Sequence, residues 1–574
     1  MQIRQSNPVC YRHERGTSLV ARLLAPLLLA WLVFCGMPAA LAATPAHQES
    51  VADTLPAGSL RELITTAPLS VAASQLDWAL IRDFYEGRDF APVWTDGNKL
   101  RHEAWFAIDR LARADEDGLF PDEYHVDEIY RGIGESIAVD ALELYLTDGL
   151  LRYIRHMRRG RLDPLTADTE WHIPPPAVDP VAELAGIVAS PSIQDALQEL
   201  IPRHSGYRRL RSLLQSLRSL GSTGGWPVVP PGASLERGGY DQRIHVLRHR
   251  LMLSGYLSGF DYRDTYHYDA ELERAVREFQ SAHGLEADGV VGRKTLAALN
   301  VPVDERIQQI QLNMERWRWM PDDLGERYLL VNMAGFELQA VENDEAVMDM
   351  RVIIGRPYRS TPAFLGTMRY LVINPYWNVP HKLAVLDLLP KQQADPDYLP
   401  GKGFRVYAGW GKDAPELDPG DIDWSSYTAE NFPYRLIQDP GEVNSLGRIK
   451  FMLPNPYAVY LHDTPSRHLF DRSVRTFSSG CIRVEDPFAF ARLLLDDKPD
   501  WDQSRIDGTL ESLKTTRVNL TEPLTVMLLY WTAVVDNDGR VIFRKDVYDR
   551  DAAVLSALNA GFSFRQKPVI RQQQ

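Results

Sequence analysis

Two stretches of this sequence hold side chains that could do chemistry together: Tyr460-Leu461-His462-Asp463-Thr464 and, after a loop, Phe477-Ser478-Ser479-Gly480-Cys481-Ile482-Arg483-Val484. A thiol attacks a carbonyl carbon well only as a thiolate, and a neighbouring imidazole is a common means of making one. Cys481 lies nineteen residues after His462, a spacing that lets two strand ends converge. Ser479 and Gly480 are small, so backbone N–H groups there can approach a substrate oxygen closely, as an oxyanion site requires. Tyr460 shares a strand face with His462 by two-residue alternation and could assist the oxyanion or orient substrate, whereas Asp463 points the other way and is not expected to complete a triad. Arg483 could hold a substrate carboxylate through its fixed fork of donors, or make a structural ion pair with Glu485 or Asp486. Trp377 and Asn378 could line the groove, with core packing as the alternative for the aromatic. His468 reads as a structural or surface residue of the loop. The next helix opens at Asp486-Pro487, an N-cap and first-turn pair several residues past the sulfur, so activation is assigned to His462 and not to a helix dipole. No set of His, Cys, Asp and Glu has metal-ligand spacing, and neither metal nor cofactor is expected.

Counting cysteines isolates the same residue. Of the three in the chain, Cys10 and Cys35 lie in the first 45 residues. There, Arg4, Arg12, Arg15 and Arg22 precede an apolar run from Leu23 to about Ala43, and Ala40-Leu41-Ala42 is a small-residue cleavage site. This is a signal peptide or an uncut membrane anchor. Either role exports the remainder of the chain, leaving Cys481 as a single thiol with no internal disulfide partner. A buried small hydrophobe is the alternative for such a cysteine. The formal charge of -14 argues against a nucleic-acid binder, and 45% hydrophobic with 24% charged residues is a globular composition.

The elements that must position these residues fall into several units, since 574 residues exceed one ordinary domain. After a tether, residues up to 218 read as a helical scaffold (46–218), whose Arg155, Arg158, Arg159 and Arg161 read as a solvated helix face. Residues 219–239 form a Gly/Pro-rich linker. Residues 240–302 read as three short helices around one small core; Asp269 is the N-cap of the second, and Leu272, Ala275, Val276, Phe279 and Ala282 form its apolar face. A helical connector spans 303–326. From Arg327 the period becomes two: Phe336, Leu338 and Ala340, then a turn at Asn343-Asp344, then Met348, Met350, Val352 and Ile354 predict a hairpin. Further strands are expected at 368–374, 449–453 and 458–462, making 327–497 a β-rich domain. Its pattern lapses between about 381 and 435, where aromatic residues favour an ordered cap. Residues 498–574 complete either the scaffold or this domain. The fold class is multidomain α+β.

Two resemblances sharpen this reading. The run Ala275-Val276-Arg277-Glu278-Phe279-Gln280, Gly284-Leu285, Asp288-Gly289-Val290-Val291-Gly292 and Thr295 resembles the three-helix peptidoglycan-binding module. His462 with Ser478-Ser479-Gly480-Cys481 and Arg483 resembles the signature of the L,D-transpeptidases, whose catalytic domain is β-sandwich-like; Ser479 stands where many members have a second histidine. The order of units, Phe84-Tyr85, Arg88, Phe90, Pro92-Val93-Trp94 and the run Asn313 to Trp319 are similar to the large, membrane-tethered branch of that family. The resemblance implies a periplasmic enzyme of cell-wall biogenesis and cell shape, free or tethered by about 23–43. Its partners would be peptidoglycan stem peptides and glycan, with other cell-wall enzymes conceivable, no nucleic acid, and membrane contact only through the N-terminal segment. It further implies 3→3 cross-linking through a cysteinyl thioester and acylation of Cys481 by carbapenems. An L,D-carboxypeptidase or a lipoprotein-attaching or -releasing transferase would use the same nucleophile, and a non-catalytic wall-binding scaffold is the reading from outside enzymology.

Overall fold

Several helices in this chain begin where a short polar side chain takes up the first unpaired N–H groups. In the computed structural model, which describes residues 60–66, 76–135, 139–258 and 265–560, Asp77 starts α1 (Trp78–Glu86) by accepting from the Leu80 N–H. The leader and tether expected before residue 59 lie outside the described residues, and among those described no helix is long and apolar enough to cross a membrane. The N-terminal helices include α2 (His102–Ala112), the long α3 (Val139–Arg159) and α4 (Ser205–Ser222). Glu143 of α3 is fully buried and accepts from the N–H groups of Val93 and Trp94 and from the hydroxyls of Tyr85 and Thr95. The aromatic-rich entry segment is thus tied to one carboxylate. The arginines around the end of α3 are not simply a solvated face: Arg158 pairs with Glu183, and Arg161 joins Glu123 to the Leu558 carbonyl near the C-terminus.

The Gly/Pro-rich stretch is stitched to the small helical unit after it. Asn300 exchanges hydrogen bonds of 2.8 Å with the backbone of Val229 in both directions, and Leu235 bridges to Val291. The three helices α5 (Arg243–Leu253), α6 (Ala270–Ala282) and α7 (Arg293–Leu299) close a core of their own. Asp269 caps α6 by accepting from the Leu272 N–H at 2.8 Å. Gln280, rather than Ala282, completes its buried face, because its amide bridges Asp288, Gly289, the Val290 carbonyl and Thr295.

Helix α8 (Val303–Arg318) carries the buried run Asn313 to Trp319. Its Arg316 meets Asp551 at 2.7 Å in a C-terminal helix (Asp551–Ala560), and its Asn313 bonds Thr532. The C-terminal segment therefore packs against the helical half while also entering the sheet.

That sheet begins with β1 (Arg327–Asn332), β2 (Glu337–Glu342), β3 (Glu345–Gly355) and β4 (Phe364–Ile373). The chain then leaves it for a cap carrying β5 (Trp377–Asn378), β6 (Phe404–Tyr407), β7 (Glu416–Leu417) and β8 (Arg435–Gln438). It returns with β9 (Ile449–Met452), β10 (Leu461–His462), β11 (Thr476–Ser478), β12 (Ile482–Val484) and β13 (Thr516–Leu529), making nine strands in all. The expected hairpin is β2–β3, and Asn343 and Asp344 both take positive φ (51° and 65°), the two-residue turn geometry that Asn and Asp tolerate. The order is β11-β3-β12-β10-β9-β4-β13-β1-β2, and β3 also pairs with β2. Strand β3 changes partner midway, from β2 up to Arg351 to β12 and β11 beyond it, so hydrogen bonding runs around a closed ring. Strand β13 lies between β4 and β1, past the boundary expected at 497.

In the cap, where the sequence pattern lapses, the four short strands form a sheet of their own in the order β5-β8-β6-β7. Helical turns from His381 to Gly401 cover it, around a separate core that includes Val379, Leu399, Val406 and Trp424. Strands of two to four residues are too short to show alternation, which is why the sequence reads as irregular there.

Candidate active site

Strands β10 and β12 run parallel as neighbours, with His462 in register with Arg483, and this pairing converts the nineteen-residue separation into proximity. Cys481 stands immediately before β12 in a loop held from both sides. Ser478 donates its hydroxyl to the Cys481 carbonyl, and Thr361 donates to the Gly480 carbonyl at 2.8 Å while accepting from the Gly355 N–H. The Tyr548 hydroxyl donates to the Gly355 carbonyl at 2.7 Å, so the C-terminal segment braces the loop as well. Gly480 has φ 115°, a conformation L side chains rarely adopt.

Cys481 is partly exposed, while its thiol is largely enclosed by protein. Its thiol donates to the Ala458 carbonyl at 3.7 Å and not to an imidazole. Burial raises the thiol pKa above its usual value, an effect opposed by the backbone N–H and hydroxyl of Tyr460 and by the charges of Lys450 and Arg483. The Tyr460 hydroxyl interacts with the Cys481 sulfur on one side and the Trp377 indole on the other; burial first, and then the sulfur, push its own pKa up. Lys450 on β9 pairs across to His462 and sets its ammonium 3.8 Å from the centroid of the Tyr460 ring.

His462 is buried, with its ring 5.7 Å from that of Tyr460. Its Nδ1 lies against the backbone carbonyl of Asp463, which fixes the ring in place of a carboxylate. Burial, and then the Arg483 charge, push its pKa down to about 3, with the carbonyls of Asp463 and Leu446 opposing. The Asp463 carboxylate turns away to Arg467 and the Arg448 N–H. At neutral pH the resting pair is thus a neutral thiol and a neutral imidazole, not a preformed ion pair.

Of the two roles expected of Arg483, the ion pair with Glu485 or Asp486 does not form. Glu485 pairs with Arg351, and Asp486 caps α9 (Pro487–Leu494) by accepting from the Ala489 N–H. Neither carboxylate is available, and the buried Nε of Arg483 has no hydrogen-bond partner. Burial and the neighbouring Arg356 lower its pKa. No carboxylate pairs with Arg356 or Arg483 among the described residues. Arg483, whose charge acts on the thiol, and Arg356, whose charge acts on Arg483, are thus cations without a paired carboxylate, a setting that favours an anion.

The remaining expected residues divide. Ser479 accepts from Arg359, which is held by Asp387 of the cap, so Ser479 links the loop to the cap. The Gly480 N–H is engaged by Ser478 Oγ at 3.2 Å and is not free for an oxyanion. Trp377 reaches Tyr460, but Asn378 is exposed and contributes only backbone pairing to Ile437. His468 is exposed. Lys450, Arg356 and Thr361 carry no sequence signal of their own: they sit on distant segments, and only the fold brings Lys450 to the sulfur and Arg356 and Thr361 to the cysteine loop.

Comparison with known proteins matches three stretches of the chain to protein families. Residues 79–214 match a scaffold domain, 240–299 a domain described as "Putative peptidoglycan binding domain", and 326–518 the L,D-transpeptidase catalytic domain. A Haemophilus influenzae protein named "Putative L,D-transpeptidase" is 36% identical over 247 residues, covering 43% of this chain and 49% of that protein. The match thus spans about half the length of the curated relative. Among solved structures, an L,D-transpeptidase from Xylanimonas cellulosilytica aligns at 16% identity and TM-score 0.18, over 52% of this chain and all of that one. Another from Stackebrandtia nassauensis aligns at 14% and 0.20, over 51% of this chain and 97% of that one. At such scores neither carries an argument about this fold.

Proposed function

We propose that the protein, whose residues 326–518 match the L,D-transpeptidase catalytic domain, forms 3→3 cross-links between peptidoglycan stem peptides, with Cys481 as nucleophile. The observation that carries this reading is a partly exposed Cys481 at the start of a strand whose neighbour carries a neutral buried imidazole, with a guanidinium that has no carboxylate partner acting on the thiol. His462, unprotonated at neutral pH, takes the thiol proton as the sulfur attacks the carbonyl after the third stem residue of a tetrapeptide donor. The C–N bond to the terminal D-alanine breaks, and the proton passes from His462 to the departing amine. Arg483, with Arg356, holds the carboxylate of that D-alanine. The thioester is then attacked by the side-chain amine of a neighbouring stem, which loses its proton to His462 and returns the thiol. Because Ser478 engages the Gly480 N–H, the oxyanion donors in this scheme are the Cys481 N–H and the Tyr460 hydroxyl, the latter polarised by Lys450.

The reaction would run outside the cytoplasm, in the periplasm, with residues 1–45 as signal or tether. The helical module at 240–299 would hold the glycan near the catalytic domain. Incubation of the purified protein with tetrapeptide muropeptides, read by mass spectrometry, tests the scheme. Dimers lacking one D-alanine are expected. Tripeptides alone would replace cross-linking by carboxypeptidase action, and no turnover with retained wall binding would leave a scaffold.

A further inference from the structure

Seven arginines are buried among the described residues: Arg110, Arg248, Arg250, Arg306, Arg316, Arg318 and Arg550. Five have a carboxylate within 3 Å, namely Asp117, Asp269, Asp551, Glu315 and Asp168. The two exceptions are Arg250 and Arg306, and both line the same cavity of about 190 Å³. That coincidence is what a ligand site predicts and what random burial does not: removing a cation from water costs several kcal/mol unless an anion meets it.

The cavity lies where four parts of the chain converge: Leu217 of α4, Trp226 of the linker, Arg250 of α5 and Arg306 of α8. Its last wall is Phe543 of β15 (Val541–Phe543), which pairs with β14 (Ala533–Val535). Arg250 is 2% exposed, lies 3.8 Å over the Trp226 ring, and donates only to neutral oxygens, the Leu299 carbonyl and Ser254 Oγ. Arg306 is 8% exposed, lies 4.4 Å over Phe543 and donates to Gln309 Oε1 at 2.7 Å. Burial pushes their pKa values down to about 9 and about 10, with the Arg306 charge adding to the fall at Arg250, and Tyr256 and Glu305 opposing it at Arg306. Both stay charged at neutral pH. His283 in the same wall is held neutral by burial and by Arg306, and burial pushes Tyr256 up to about 12. The wall is therefore apolar with two positive charges.

We propose that this cavity binds a compact carboxylate carried on an uncharged, partly apolar body, such as the C-terminal residue of a short peptide. The guanidinium forks suit a planar carboxylate. The leucine and aromatic lining suits a methyl-sized side chain. A free amino acid is a poorer ligand, because its ammonium would join two cations with no acid to receive it. Occupancy would clamp the helical module to the scaffold and to the C-terminal hairpin. The site is separate from Cys481 and does not depend on the reaction proposed there.

The test is thermal unfolding and calorimetry of the whole protein with N-acetyl-D-alanine, D-alanine and inorganic phosphate as probes. N-acetyl-D-alanine should raise the midpoint and bind at least about tenfold more tightly than D-alanine, since binding to the folded state alone raises stability. Arg306→Met should lose at least about tenfold in affinity while unfolding no earlier than wild type without ligand, because it relieves a buried repulsion. Should that variant fail to fold, Arg306→Lys, which keeps the charge but not the fork, should still weaken binding severalfold. No shift in wild type, an equal shift in the variants, or a shift with phosphate alone would each overturn the proposal.

Discussion

Charges in the seam along α8 and charges around Cys481 obey opposite rules. In the seam, Arg316 meets Asp551, Arg318 meets Glu315, and Arg550 meets Asp168, all within 3 Å and buried. Beside Cys481, Arg483 and Arg356 have no carboxylate among the described residues, and the nearest acids serve Arg351 and a helix cap. Paired charges fix how the helical half meets the sheet. Unpaired ones are left for something that arrives from outside. Burial of a single cation costs more than a neutral core would, so a chain that pairs five of the seven buried arginines among its described residues has reason to leave the other two, Arg250 and Arg306, bare as well.

This contrast can be broken in stages. The largest effect should come from Cys481→Ala, which should cut the proposed cross-linking by roughly a thousandfold or more and abolish the carbapenem adduct that the proposal expects in intact-protein mass spectrometry of the wild type. An adduct on another residue would move the nucleophile. Next, Asp551→Ala leaves buried Arg316 with only the longer contact to Asp168 at 3.8 Å and should cost about 3–5 kcal/mol in denaturant unfolding. A loss below about 1 kcal/mol would mean that the seam pairs are not structural. Arg483→Gln should do the reverse. It should leave the unfolding midpoint unchanged while lowering kcat/KM for a carboxylate-bearing donor by about 10–100-fold, the value of a charge-assisted hydrogen bond. A donor ester lacking that carboxylate should lose much less.

The smallest effect concerns pH. His462 has a folded pKa of about 3 against an ordinary value of 6.5, and burial depresses His156 and His283 in the same direction. Between those values the unfolded chain binds protons that the folded protein does not, so stability rises with pH through the window and is lost as pH falls from about 6.5 toward 3. Urea midpoints at about pH 7 and about pH 5 should therefore differ, with the lower pH the weaker. Initial acylation rates measured on still-folded protein should show no acid limb near 6.5. A limb at that value would place His462 in a more solvated setting.

Much of this is legible in the sequence, where local chemistry decides. Asp269 and Asp486 cap the expected helices, Asn343-Asp344 makes the expected turn, and His462 and Cys481 come to neighbouring strands. The rest depends on long-range register. Lys450 reaches the site only because β9 pairs with β10, and Arg356 only because its backbone bonds Ser478. Arg161 reads as solvated because a helix end rich in arginine looks the same whether it faces water or a carboxylate. Alternation puts Tyr460 on the face of His462, but its contact with sulfur requires the Ala458–Tyr460 backbone, where Ala458 takes φ 55°.

The place of β13 in the ring has a consequence for the life of the chain. Its residues, 516–529, are synthesised after every other strand of the sheet, yet they fill the gap between β4 and β1. Until they arrive, both neighbours expose unpaired edges, and the brace from Tyr548 to the Gly355 carbonyl is missing. A nascent or truncated polypeptide thus cannot close the sheet or set the cysteine loop. Such late closure would keep the chain threadable during the proposed export and reserve a working thiol for molecules that were finished.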